Sequence, residues 1–150
     1  MIQIREEIEI HGPAEPIFAA IVDFSGYDRW LTSSSAYRGL TDVSSDPIRL
    51  GTTWSEPAPT GVRHGTVSEF DPPDRVTFHQ PMSLRPKLLG VIDITVAMDL
   101  TQSASSTRVR RRVTLELPWS LKPIRPYVVR QFRAEGARTL RALRDFIERE

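Results

Sequence analysis

Apolar and charged residues alternate from the first positions of the chain. Ile2, Ile4, Ile8 and Ile10 share one parity, and Gln3, Arg5, Glu7 and Glu9 share the other. A period of two predicts a strand with one dry and one wet face. Glu6 breaks the pattern by falling on the apolar parity. His11-Gly12-Pro13 ends the strand, and from Pro13 to Val22 the residues Ile17, Phe18 and Ile21 recur at helical spacing. Pro16 is tolerable in the first turn of that short helix. Asp23 is placed to cap a second short helix running toward Trp30. From Ala36 to Leu117, turn signals at Gly39, Asp46-Pro47, Gly51, Pro57 to Gly61, Asp71 to Asp74, Pro81 and Gln102 to Ser106 separate short β-prone runs. This punctuation predicts a meander of about six strands. In its clearest run, Val91 to Leu100, Ile92, Ile94, Val96, Met98 and Leu100 oppose Asp93, Thr95 and Asp99. Beyond Pro118, the run from Pro126 to Arg149 has no further proline and spaces Val128, Phe132, Gly136, Leu140, Leu143 and Ile147 by threes and fours. That is the pattern of a long amphipathic helix. The predicted class is α+β, with a curved antiparallel sheet of about seven strands wrapped around the C-terminal helix and two short helices after the first strand.

A chain of 150 residues has room for one core, so residues 1–150 are expected to form a single domain. With 39% hydrophobic and 26% charged residues, the composition is that of a folded globular chain. No run approaches the roughly 18 apolar residues of a membrane span, and the N-terminus lacks a signal peptide's apolar block. The expected location is cytoplasmic. The absence of cysteine excludes disulfides, thiolate metal sites and a cysteine nucleophile. The net charge of +1 hides an asymmetry: residues 1–107 hold 8 basic and 14 acidic side chains, residues 108–150 hold 12 and 5. Of the 20 basic residues 18 are arginine, a bias attributed to genome composition; no nucleic-acid partner is expected.

Several local patterns carry a family resemblance. Ile8-Glu9-Ile10 leads into Pro13-Ala14-Glu15-Pro16-Ile17-Phe18, followed by Asp23, Tyr27 and Trp30. Further on stand Gly51-Thr52-Thr53-Trp54 and Glu69-Phe70-Asp71-Pro72-Pro73-Asp74-Arg75-Val76. With the order of elements, these resemble the START-like (SRPBCC) superfamily of helix-grip folds, in particular its polyketide cyclase/dehydrase-like branch. The last two segments look like that branch's third strand and the turn between its fourth and fifth strands. The resemblance covers nearly the whole chain but rests on turns and core positions, which say little of chemistry. It implies a hydrophobic tunnel between sheet and long helix that holds a lipid, steroid, polyketide or other largely apolar molecule. Some relatives catalyse cyclisation or aromatisation, and others only bind or carry.

Polar residues on the dry parity of a strand are the candidates for chemistry, since burying them without a partner costs about 1–3 kcal/mol. Arg111 shares its phase with Val109, Val113, Leu115 and Leu117, while Arg108, Arg110 and Arg112 point the other way. An inward guanidinium keeps its charge, so it either pairs with a carboxylate or binds a ligand carboxylate, enolate or phenolate. A bulge that turns it outward is the third option. In Val62 to Phe70, taking Arg63 and Glu69 as exposed places His64, Thr66, Ser68 and Phe70 inside. His64 would then be a titratable group near neutral pH, either structural, ligand-binding or catalytic. His79 should face outward. With His11 in a turn, the three histidines show no ligand spacing, and neither a metal nor a cofactor is expected. Trp30, Trp54, Phe78 and Phe132 are large rigid bodies that suit a pocket wall or the core. Gly136 costs a helix about 1 kcal/mol relative to alanine, which invites a spatial reason such as room for ligand. The loop Pro81 to Gly90, with Met82, Leu84, Arg85 and Leu88, is placed to gate a cavity mouth. No GxSxG, GxxxxGK[ST], GxGxxG or paired-carboxylate motif occurs, which disfavours serine-hydrolase and nucleotide chemistry.

Three functions follow. One is a binding protein for a hydrophobic small molecule, with Arg111 and His64 supplying polarity in the tunnel. Another is a cyclase or dehydratase whose cavity orients a reactive chain. The third is a surface module that uses Arg130, Arg133, Arg141 and Arg144 of the last helix toward a protein, RNA or anionic membrane.

Overall fold

Residues 1–32 and 39–149 are described by the computed structural model. Ala36 to Arg38, where the meander was expected to begin, lie outside the described residues. The elements run in the expected order. Strand β1 (Ile2–His11) is followed by helix α1 (Ala14–Val22) and a 3-10 segment (Phe24–Arg29). Six strands come next: β2 (Thr53–Ala58), β3 (Gly61–Asp71), β4 (Arg75–His79), β5 (Met82–Leu84), β6 (Val91–Ser103) and β7 (Ser106–Glu116). Short 3-10 turns at Lys87–Leu89 and Trp119–Ile124 flank β6 and β7, and α2 (Arg125–Glu148) ends the chain.

The seven strands form one antiparallel sheet in the order β1-β7-β6-β4-β3-β2, with β5 pairing β3 and β6. Pro57 sits in β2, an edge strand, where a missing N–H costs no ladder bond. Thr53-Trp54 therefore opens the second strand, and the Asp71–Asp74 turn joins the third and fourth. Each lies one strand earlier than the resemblance suggested, because residues 39–52 add only a single bridge, Thr41 to Ser55. Asp23 does not cap the 3-10 segment through its backbone N–H groups. Its carboxylate instead accepts from Ser25 Oγ at 3.0 Å and pairs with Arg29 at 2.7 Å. Helix α1 begins where the Gln102 side chain, from the β6–β7 hairpin, accepts the Ala14 N–H at 2.8 Å.

One face of the sheet is dry. Ile4, Ile10, Ile94, Val109, Val113 and Leu115 are buried there against Ile17, Phe18 and Ile21 of α1 and Leu140 and Leu143 of α2. The other face is a ladder of ion pairs that includes Glu7–Arg110, Glu9–Arg108 and Arg75–Asp99. Helix α2 packs along β1 and so closes the concave side of the sheet. No described helix is long and apolar enough to cross a membrane.

Candidate functional site

The dry side of the sheet also carries buried charge. Glu6 of β1 and Arg111 of β7 face each other in register and meet at 3.3 Å, with side chains only 15% and 14% exposed. Of the outcomes open for Arg111, the internal ion pair is realised. Glu6, the misfit in the alternation of β1, supplies the counter-charge.

A second pair lies at the opposite edge of the sheet, and its residues line the same cavity as Arg111. Glu56 of β2 and Arg63 of β3 are register partners, 3.5 Å apart and nearly as buried. This overturns the expected phase of β3. Gly61, Gly65 and Val67 are buried with Arg63 between them, whereas His64 and Ser68 are exposed. The reason is a bulge between Val67 and Glu69, where the β3–β4 register shifts by one. Counting back from Phe70 across that bulge inverts every side chain before it. His64 therefore points to solvent on the outer face and is not among the residues that line the cavity between sheet and α2. His79 faces outward as expected and meets Asp93 at 2.6 Å.

Between sheet and α2 lies a cavity of about 110 Å³. Its apolar wall includes Phe78, Ile94, Val96, Met98 and Phe132, and its polar wall includes Glu56, Arg63, Arg111 and Glu135. The Arg63 guanidinium sits over the Phe132 ring, 5.9 Å from its centroid. Arg138 holds Glu135 by two hydrogen bonds of 2.9 and 3.1 Å and donates to the Thr32 carbonyl at 2.8 Å, tying α2 to the segment after Trp30. Burial pushes the carboxyl pKa of Glu56 up, against the lowering effect of Arg63 and Arg111. Burial likewise raises Glu6, opposed by Arg111, and lowers Arg111, opposed by Glu6. Burial therefore makes each carboxyl easier to protonate than it is in water, while the guanidinium groups keep their charge.

Of the candidate residues, the structure brings Phe78, Arg111 and Phe132 to this cavity. Trp30 and Trp54 belong to the core beside it. Trp30 stacks on Phe146 at 6.5 Å, and Trp54 packs edge-on to Phe24 at 4.8 Å and Phe78 at 5.6 Å. The Trp54 indole lies over Gly65, where a Cβ would overlap it, and its Nε1 is buried with no hydrogen-bond partner among the described residues. Gly136 does answer a spatial need. A Cβ there would collide with the Glu6 carboxylate and the Arg111 guanidinium, so the space it opens in α2 is taken by the ion pair. Glu56, Arg63 and Glu135 were not singled out from the sequence. Glu56 shares a parity with Trp54 in β2, and that was the available signal.

The sequence matches, over residues 1–148, the family described as polyketide cyclase / dehydrase and lipid transport. No curated protein matches it. Among solved structures, a conserved protein from Geobacillus kaustophilus aligns with a TM-score of 0.77 at 13% identity, covering 99% of this chain and 96% of that one. Protein jhp0584 from Helicobacter pylori gives 0.77 at 10% identity, over 97% and 88%. DynU16, from the dynemicin biosynthetic locus, gives 0.66 at 18% identity, over 97% of this chain and 47% of that one. At such identities the likeness speaks for the fold alone.

Proposed function

The chain belongs to the polyketide cyclase / dehydrase and lipid transport family, and from that premise we propose that it binds a small amphipathic molecule between the sheet and α2. The observation that carries this reading is the two buried arginine–glutamate contacts, Glu56–Arg63 and Glu6–Arg111, which place Glu56, Arg63 and Arg111 in the cavity wall beside apolar side chains. Two such pairs are a poor device for stability alone, since desolvating them offsets most of their attraction. They make sense as a surface for a polar group. The ligand is accordingly a molecule with an apolar body and an anionic or enolic end, in keeping with the largely apolar guest that the resemblance implies. A volume of about 110 Å³ holds such an end. It falls short of the roughly 300–1,000 Å³ of sites for drug-sized molecules, so a lipid, polyketide or steroid-sized body requires α2 to move off the sheet.

The test is uptake of cis-parinaric acid, which joins a carboxylate to an apolar fluorescent chain. Saturable one-to-one binding is expected. The double variant Glu6→Gln/Arg111→Met removes both charges, so that no buried charge is left unpaired, and should weaken uptake at least about tenfold, by loss of a charge-assisted hydrogen bond. Arg110→Met, on the outer face, should leave it unchanged. Absence of uptake by the wild type, or equal uptake by all three proteins, overturns the reading.

Glu56 favours a second reading, the cyclase or dehydratase. A carboxyl whose pKa burial raises, beside two guanidinium groups, suits general acid–base work on a ketone or enol. Turnover of a linear poly-β-keto thioester that disappears in Glu56→Gln while parinarate uptake persists would establish it.

A further inference from the structure

Large apolar side chains stand out of the surface at one end of the molecule. Leu88 is 94% and Trp119 82% exposed, joined by Val91, Ile124 and Tyr127. They come from two chain segments held together. Ser120 Oγ donates to the Leu89 carbonyl at 2.5 Å, and Pro118 lies against Gly90. The two 3-10 turns, Lys87–Leu89 and Trp119–Ile124, thus form adjoining protrusions, with the first turn of α2 beside them. The charge here is of one sign. Residues 81–92 and 117–134 contain no Asp or Glu, yet they hold Arg85, Lys87, Lys122, Arg125, Arg130 and Arg133, including both lysines of the chain. Elsewhere on the sheet surface the arginines face carboxylates, as Arg75 and Arg110 do.

We propose that this end of the molecule docks on the surface of an anionic phospholipid bilayer, with Leu88 and Trp119 entering the interface and the surrounding cations facing the headgroups. Tryptophan and tyrosine favour the headgroup level, and basic residues add attraction to anionic lipid. Separate protruding tips suit a deformable interface better than the flat, closely packed core of a protein contact. The patch also adjoins the cavity. Strand β5 pairs with β3 through Met82 and Arg63 and leads directly into the Lys87–Leu89 turn. Phe132 stands two turns along α2 from Ile124. The proposal nevertheless rests on the surface residues alone and holds whether or not the cavity takes a ligand.

The experiment is co-sedimentation with vesicles of phosphatidylcholine, with and without phosphatidylserine, at low and high salt. Binding should require phosphatidylserine, weaken in high salt and shift tryptophan emission to the blue, since Trp119 is the one exposed tryptophan. Leu88→Ser/Trp119→Ser should lower binding, and so should Lys87→Glu/Lys122→Glu, each by at least about tenfold. Arg110→Glu should bind as the wild type does. Failure of the wild type to bind phosphatidylserine vesicles overturns the proposal, as does equal binding by all variants. Self-association without vesicles that Trp119→Ser abolishes, in a protein that ignores vesicles, overturns it in favour of a second copy as the occupant.

Discussion

A guanidinium cannot shed its charge on burial, so Arg111 has to bring a counter-charge with it, and Glu6 supplies one from the adjacent strand. Gly136 is the third member of that arrangement. Alanine there would gain about 1 kcal/mol of helix propensity, but its Cβ would displace the ion pair. Gly136→Ala should therefore lower stability by roughly 1–3 kcal/mol, read by urea denaturation; a rise in stability would show that the pair shifts aside freely. Glu56 makes a prediction about pH. Its folded pKa is raised above the ordinary 4.5, so the folded state holds that proton more tightly than the unfolded chain. Its contribution to stability then falls as pH rises through the window from about 4.5 up to the raised value. Glu56→Gln removes this slope. The difference in Tm between variant and wild type should move in the variant's favour as pH increases across that window, and a difference that moves the other way contradicts the raised pKa.

At the scale of elements, legibility followed the regularity of the pattern. Strand β6 and helix α2 were readable because their apolar residues keep one period from end to end. Strand β3 was not, because an alternation carries through a strand only while its register holds, and the bulge after Val67 breaks it. Arg63 and His64 consequently exchanged places, and half of the polar wall stayed hidden. Glu6 and Glu56, the carboxylates of the two buried pairs, were visible as parity exceptions, yet an exception gains meaning only when its cross-strand partner is known. Burial also decides which positions of α2 bear load. Leu143, fully buried, should cost about 2–5 kcal/mol on replacement by alanine. Arg141→Ala, on the exposed side of the same helix, should stay within about 0.5 kcal/mol. Chemical denaturation of both variants checks the seating of α2, and comparable losses would mean that the helix is packed differently.

For the molecule as a whole, the family resemblance foretold the closed concave sheet and the helix across it, because those features reside in turns and core spacing. It did not foretell that the space between them would be small and charged at its centre, since that depends on a handful of cross-strand pairs. The central claim is that this interior receives an amphipathic molecule by its polar end. Mass spectrometry of the purified protein, sprayed first under native and then under denaturing conditions, tests it most directly. The account predicts a one-to-one adduct that is released on denaturation, carries an acidic or enolic group on an apolar body, and is lost from Glu6→Gln/Arg111→Met. A wild-type protein that stays empty even after incubation with cis-parinaric acid, or an adduct that the double variant keeps in full, would contradict it.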